Sequence, residues 1–81
     1  MQVIDNVLLN KLVSASYWLG RAVESFDQED FSGSEYCLKF FRNFNNYLLR
    51  YNAQNSLSAI QDIQVQYNDL VDLLAEVKTC S

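Results

Sequence analysis

Residues that turn or break a polypeptide chain are almost absent from this sequence. Its 81 residues include two glycines and no proline. A small β-sheet protein needs several tight turns, and those turns depend on glycine and proline for their backbone angles. The scarcity of both residues therefore favours a few long helices joined by short connections, within a single domain that spans residues 1–81.

Apolar residues recur at helical spacing in three segments of the chain. The 3.6-residue period predicts helices over about 3–26, 33–51 and 56–78. Each segment carries apolar side chains along one face and polar side chains along the other, which is typical of amphipathic helices that share a core. Because both connections are short, we predict an all-α fold in which three antiparallel helices form a small bundle.

The start of the second helix carries the most specific local signal. Ser32 and Glu35 have the spacing of a capping box, in which each side chain accepts a hydrogen bond from an orphan backbone N–H group. Phe31 and Tyr36 then occupy the two positions of a hydrophobic staple. Because both signals agree on one register, they predict Ser32 as the N-cap residue of this helix.

The predicted apolar face of the second helix is rich in aromatic residues. An aromatic stripe at helical spacing is usually core, and the tyrosines at its edges are the predicted contact residues. The same projection places Leu38 and Leu49 on the polar side. Glu35 and Lys39 lie four residues apart in the order that favours an ion pair on a helix surface. The predicted face comprises Tyr36, Cys37, Phe40, Phe41, Phe44, Tyr47, Leu48 and Tyr51.

The composition excludes several common catalytic and metal-binding designs. The chain has no histidine, which removes the commonest general base and metal ligand. Cys37 and Cys80, with no histidine to join them, do not make a zinc site and are expected to be free thiols. Two glycines cannot build a glycine-rich phosphate loop. We therefore expect a protein that is not an enzyme and that uses no metal or cofactor.

The charge of the chain narrows the class of partner. Six basic and ten acidic residues give a net charge of −4. This balance argues against binding to nucleic acid or to an anionic membrane, since both depend mainly on Lys and Arg. No apolar run approaches the roughly 20 residues that span a bilayer, and the first residues do not resemble a signal peptide. We therefore expect a cytoplasmic protein whose partner is another protein.

Leu9, Val13 and Tyr17, each four positions after the one before, form a second apolar stripe on the first helix. A three-helix bundle needs one apolar face from each helix, so this stripe exceeds what the fold requires. The stripe is buried within one chain if the first helix is central. Otherwise it predicts an oligomer interface, most simply in a homodimer, because so small a domain gains much core by association.

An acidic row lies along the third helix. Asp62, Asp69, Asp72 and Glu76 fall within about one quarter of the helix circumference. No Lys or Arg lies between residues 51 and 77 to offset them. Exposed charges of this kind usually form a plain solvated face. The functional alternative is a docking surface for a basic partner, whose association the charge would accelerate.

Lys39, Arg42 and Arg50 lie on the outer face of the second helix. Three cations in this arrangement suit an anion, such as a phosphate or a nucleotide, held together with the neighbouring tyrosines. The alternative is that these cations pair with nearby acidic residues such as Glu35. Short basic patterns of this kind are weakly specific.

Three functional hypotheses follow from these features. The first is a protein-protein interaction module, such as an adaptor, a chaperone subunit or an inhibitor, and accessory proteins of bacteria and their phages are often of this kind. The second is a ligand-sensing protein that holds a small anionic molecule between protomers. The third is an acidic decoy that occupies a nucleic-acid-binding protein. The sequence favours the first, since it lacks catalytic groups and carries surplus apolar and acidic surface.

Overall fold

Three helices account for nearly all of the described chain. The computed structural model describes residues 5–80, with the side chain of Cys80 excepted. The helices are α1 (Asn6–Asp27), α2 (Phe31–Asn55) and α3 (Ser58–Cys80). Residues 5–80 contain no strand, so the prediction of an all-helical fold is confirmed. The predicted helical residues before residue 5 lie outside the described part of the chain, as does the side chain of Cys80, which was predicted to be a free thiol.

The helix boundaries depart from the predicted ones, most clearly for α2. The predicted range 33–51 was too short at both ends, since α2 begins at Phe31 and continues to Asn55. The α1 helix ends at Asp27, one residue later than predicted. The α3 helix is shifted by two residues, from the predicted 56–78 to Ser58–Cys80. The chain leaves α2 at Ser56, whose φ of 38° is in the left-handed region and stops the helix.

The capping prediction for α2 was wrong by two residues. Asp30, rather than Ser32, is the N-cap, and its side chain accepts a hydrogen bond from the Gly33 N–H at 3.0 Å. The Asp30 carbonyl oxygen also accepts from the Ser34 N–H at 3.0 Å. Asp caps a helix as well as Ser does, and here it precedes Ser32 in the chain. Glu29 adopts a positive φ of 61°, which turns the chain sharply into this cap.

Small buried residues bring α1 and α2 close together. Ala15 and Ala22 of α1 and Ser34 and Cys37 of α2 are all buried. The Ser34 hydroxyl donates a 2.8 Å hydrogen bond to the carbonyl oxygen of Ala22, so its polar group is satisfied inside the interface. The two helices approach each other more closely than α3 approaches either of them. The whole core comprises Leu8, Ala15, Leu19, Ala22, Cys37, Leu38, Phe41, Leu48, Ile60, Ile63, Leu70 and Leu74.

The placement of Leu38 on the polar side of α2 was wrong. Its side chain is only 1% exposed. The reason is that α2 packs against two helices, so its buried surface is wider than one stripe. Glu35, on the same side, forms its ion pair with Lys78 of α3 rather than with Lys39 as predicted. Both differences arise from the position of α3. The spacing of residues within α2 alone gives no information about that position.

Polar contacts fix α3 against α2. Asn45 is 4% exposed, and its amide exchanges two hydrogen bonds with the amide of Gln64, at 3.1 and 2.6 Å. The Arg42 Nε donates to the Tyr67 hydroxyl at 2.7 Å. The Tyr67 ring also packs on Phe41 with ring centroids 4.8 Å apart. A two-way amide pair in an apolar interface favours one register, because any slip would leave buried polar groups unpaired.

Candidate functional site

The second apolar stripe of α1 faces outward. Leu9, Val13 and Tyr17 are 48%, 61% and 55% exposed. The alternative in which this stripe is buried within one chain is therefore wrong. An oligomer interface along this stripe stays a prediction.

Two depressions lie between α1 and α3, and we name them together the α1/α3 groove. They have volumes of about 430 and 320 Å³. The α1 helix contributes Leu12, Val13, Ser16, Val23, Phe26 and Asp27, and α3 contributes Ala59, Asp62, Ile63, Gln66, Asp69, Leu70 and Leu73. Most of these side chains are apolar or small. The groove spans residues 12–27 of α1, which corresponds to about 22 Å at the helical rise of 1.5 Å per residue.

Only half of the acidic row of α3 lines this groove. Asp62 and Asp69 line it, whereas Asp72 and Glu76 do not. Asp27 of α1 lies beside Asp69 in the second depression. In the part of the chain that the structure describes, no Lys or Arg lines either depression. Val13 of the α1 stripe and half of the acidic row, which the sequence shows as separate features, therefore border one groove.

Four aromatic rings follow one another across the surface of α1 and α2. Tyr17 meets Trp18 edge to face, with centroids 5.2 Å apart. Trp18 stacks on Phe40 at 4.8 Å, and Phe40 meets Tyr36 at 5.0 Å. The rings at the two ends, Tyr17 and Tyr36, are both more than half exposed. The exposure of Tyr36 agrees with its prediction as a contact residue at the edge of the aromatic face.

The structure does not bring the three predicted anion-binding cations into one depression. Arg42 lines a depression between α2 and α3 together with Glu35 and Lys78, and it also hydrogen-bonds Tyr67. Arg50 lines a different depression, beside Tyr47, Tyr51 and Gln54. Lys39 lines neither of these. An anion site that uses all three cations stays a prediction. It is not supported by the described depressions, because none of them is lined by all three cations.

The described side chains include one buried thiol and no cluster that could hold a metal ion. Cys37 is a buried free thiol. Among residues with described side chains, no three His, Cys, Asp or Glu residues stand close enough to hold a metal ion. Every buried polar side-chain atom in the same range has a hydrogen-bond partner.

Within the described residues, no helix combines the length and the apolar character needed to cross a membrane.

No family model, no curated protein and no solved structure matches this chain.

Sequence reasoning missed the groove and the polar pair that holds α3. The groove edge had a signal, because Leu9, Val13, Ser16, Gly20 and Val23 repeat at alternating steps of four and three residues. That spacing is the one by which a helix meets a neighbouring helix. Because Ser16 and Gly20 are small, a pattern of large apolar residues does not include them. The amide pair had no comparable signal, because one asparagine among several in α2 does not stand out.

Proposed function

We propose that this chain is a non-enzymatic protein-protein interaction module that binds a partner protein along the α1/α3 groove. The observation that carries the proposal is the exposed apolar surface on both groove edges, with Val13 on α1 and Leu73, 44% exposed, on α3. Single exposed apolar residues are ordinary on a soluble domain, but apolar residues gathered along one groove are typical of a surface that binds another molecule. Adaptors, chaperone subunits and inhibitors all act through surfaces of this kind.

The arrangement we propose is an antiparallel three-helix bundle that a fourth helix completes. Pairs between α1 and α2 support the antiparallel order, since Ala22 meets Ser34 and Trp18 meets Phe40. Lys11, earlier still in α1, lies over the ring of Tyr47 late in α2. Four-helix bundles are stable because each helix packs on two neighbours. Here α1 and α2 pack closely on each other, whereas α3 approaches both of them less closely, which leaves room for a fourth helix along the groove between α1 and α3.

A homodimer is the second candidate, because a second copy would cover the same exposed stripe. Leu9, Val13 and Tyr17 support it by their exposure. Sedimentation velocity at micromolar concentration tests this candidate directly. A dimer that Val13→Asp dissociates would favour it, and a monomer at these concentrations would rule it out.

The interaction itself is tested by affinity capture with matched variants. The full chain is immobilised, incubated with extract of its native host, and the retained proteins are identified by mass spectrometry. Val13→Asp combined with Leu73→Asp should abolish retention of a specific protein, because charges would enter the apolar groove. Val65→Asp is the matched control, since Val65 is 60% exposed but does not line the groove. Equal retention by the groove variant and by the control would contradict the proposal, provided that circular dichroism shows both to be folded.

A further inference from the structure

We infer that the segment bound in the α1/α3 groove is a basic amphipathic helix of a different protein. Its apolar side enters the groove, and its Lys or Arg side chains face Asp62 and Asp69. The inference rests on the proposed function and specifies the chemistry of the partner. Three observations support it, namely the spacing along the groove edges, the charge of the edges and the absence of compensating cations there.

The spacing along both edges suits a helix. On α3 the edge positions recur at steps of three and four residues, as they do on α1. They are Ala59, Asp62, Gln66, Asp69 and Leu73. A helix that packs beside two others meets side chains at this repeat on each of them. The small residues Ser16 and Gly20 on the α1 edge would also allow close approach of a third backbone.

The charge of the groove selects a basic partner. Asp62 and Asp69 are seven residues apart, so their carboxylates lie two turns apart on one side of α3. Cations seven residues apart on a docked helix would face both of them. Asp27 adds a third carboxylate, on the α1 side of the groove. Acidic groups beside an apolar groove raise the association rate of a basic ligand and disfavour an acidic one.

The same charge argues against a second copy of this chain in the groove. A facing copy would bring another Asp62 and Asp69, and no Lys or Arg lines the groove in the described residues. Lys11, the first cation of α1, lies over the rings of Phe44 and Tyr47 on the other side of the helix. Two like-charged edges without counter-charges repel each other. A partner of different sequence therefore fits this surface better than self-association does.

Three synthetic peptides of equal length test the inference with the full chain. The first is an 18-residue helix with Leu and Ala at heptad core positions and Lys at the flanking ones, about 27 Å long. The second replaces each Lys by Glu, and the third scrambles the first so that it has no apolar face. Fluorescence anisotropy at physiological salt should give micromolar binding of the Lys helix, with both other peptides at least about tenfold weaker.

Charge reversal in the protein supplies the matched variants. Asp62→Lys with Asp69→Lys should weaken the Lys helix by about tenfold or more and should create binding of the Glu helix. Asp72→Lys with Glu76→Lys changes the net charge equally but lies outside the groove. Because exposed charges are screened over about 8 Å at physiological salt, this control should alter binding by no more than about threefold.

Several results would overturn the inference. Failure of the Lys helix to bind the folded protein would do so, as would equal binding of the scrambled peptide or equal loss in the two charge-reversed variants. A dimer dispersed by Val13→Asp would show that a second copy covers the groove instead. Failure of the inference can be distinguished from failure of the proposed function. A partner protein whose capture requires Val13 and Leu73 but is insensitive to Asp62→Lys with Asp69→Lys would support the proposed function and exclude only the basic character of the partner.

Discussion

The two sides of α1 differ in whether another helix of the chain closes them. On the α2 side, Ala15 and Ala22 are completely buried, and the Ser34 hydroxyl reaches the Ala22 carbonyl. On the α3 side, the groove lies open and Val13 and Val23 are exposed. Each side carries a heptad-like row of apolar or small residues. The contrast shows that spacing identifies surfaces suited to helix contact, while the number and position of helices decide which of them are occupied.

Polarity divides the two sides further. The closed side satisfies its polar groups internally, as the Ser34 hydroxyl does. The open side presents Asp27, Asp62 and Asp69, and among the described residues no Lys or Arg lines the same groove. Exposed carboxylates cost little in solvent, but they would be costly under a partner that could not pair with them. A partner that covers this apolar surface would therefore need cationic groups to pair with these carboxylates.

The largest expected effect belongs to the closed core. Phe41→Ala should lower the free energy of unfolding by about 3–5 kcal/mol, because Phe41 is fully buried and its loss leaves a cavity. Leu73→Ala, at the groove, should cost less than about 1 kcal/mol in the isolated protein. Urea denaturation followed by circular dichroism measures both values. Similar losses for the two variants would mean that the groove is closed and that the contrast between the sides is wrong.

The amide pair between α2 and α3 should rank second. Asn45→Ala should lower the free energy of unfolding by about 1–3 kcal/mol, because it leaves the half-buried Gln64 amide without its partner. Replacing both residues by leucine should recover at least about half of that loss, since no polar group then remains unpaired. The double-mutant cycle is measured by urea denaturation. Additive losses would show that the two amides do not stabilise each other.

Periodicity was sufficient to predict the number of helices and most of the core. Leu8, Leu19, Phe41, Ile63 and Leu70 are buried where a 3.6-residue period places them. Such residues depend on one helix and one face, which is the information that a sequence contains locally. The burial of Leu38 could not be predicted in this way, because it depends on where α3 lies relative to α2.

The candidate site was predictable in its parts but not as a whole. The sequence identified the stripe that contains Val13 and the row that contains Asp62 and Asp69, as separate excesses on separate helices. Their contact with one groove depends on the rotation of α1 and α3 about their own axes. That rotation is set by packing among all three helices, including the amide pair of Asn45 and Gln64, which had no distinctive signal.

Loss of the α2 cap should have a smaller effect on the free energy of unfolding. It distinguishes the predicted N-terminus of α2 from the observed one. Asp30→Ala should lower the free energy of unfolding by about 1 kcal/mol, because the Gly33 N–H loses its acceptor. Ser32→Ala should change it by less than about 0.5 kcal/mol, since Ser32 is exposed and is not the cap. Thermal unfolding compares the two variants. The reverse order would restore the capping box at Ser32 and move the start of α2.

The smallest effect is expected on the open side, and its sign is opposite. Gly20→Ala should raise the free energy of unfolding by about 0.5–1 kcal/mol, because alanine is the better helix former and a Cβ at Gly20 meets nothing within 4 Å. Gly33→Ala is the matched control, and it should destabilise the protein, since its Cβ would overlap the Asp30 carboxylate that caps α2. Thermal unfolding of the isolated protein gives both signs. Destabilisation by Gly20→Ala would mean that another molecule, such as a second copy, already packs against this side of α1 in solution. Stabilisation together with weaker binding of the Lys helix would instead indicate that the docked helix approaches α1 closely at Gly20, where an added methyl group obstructs it.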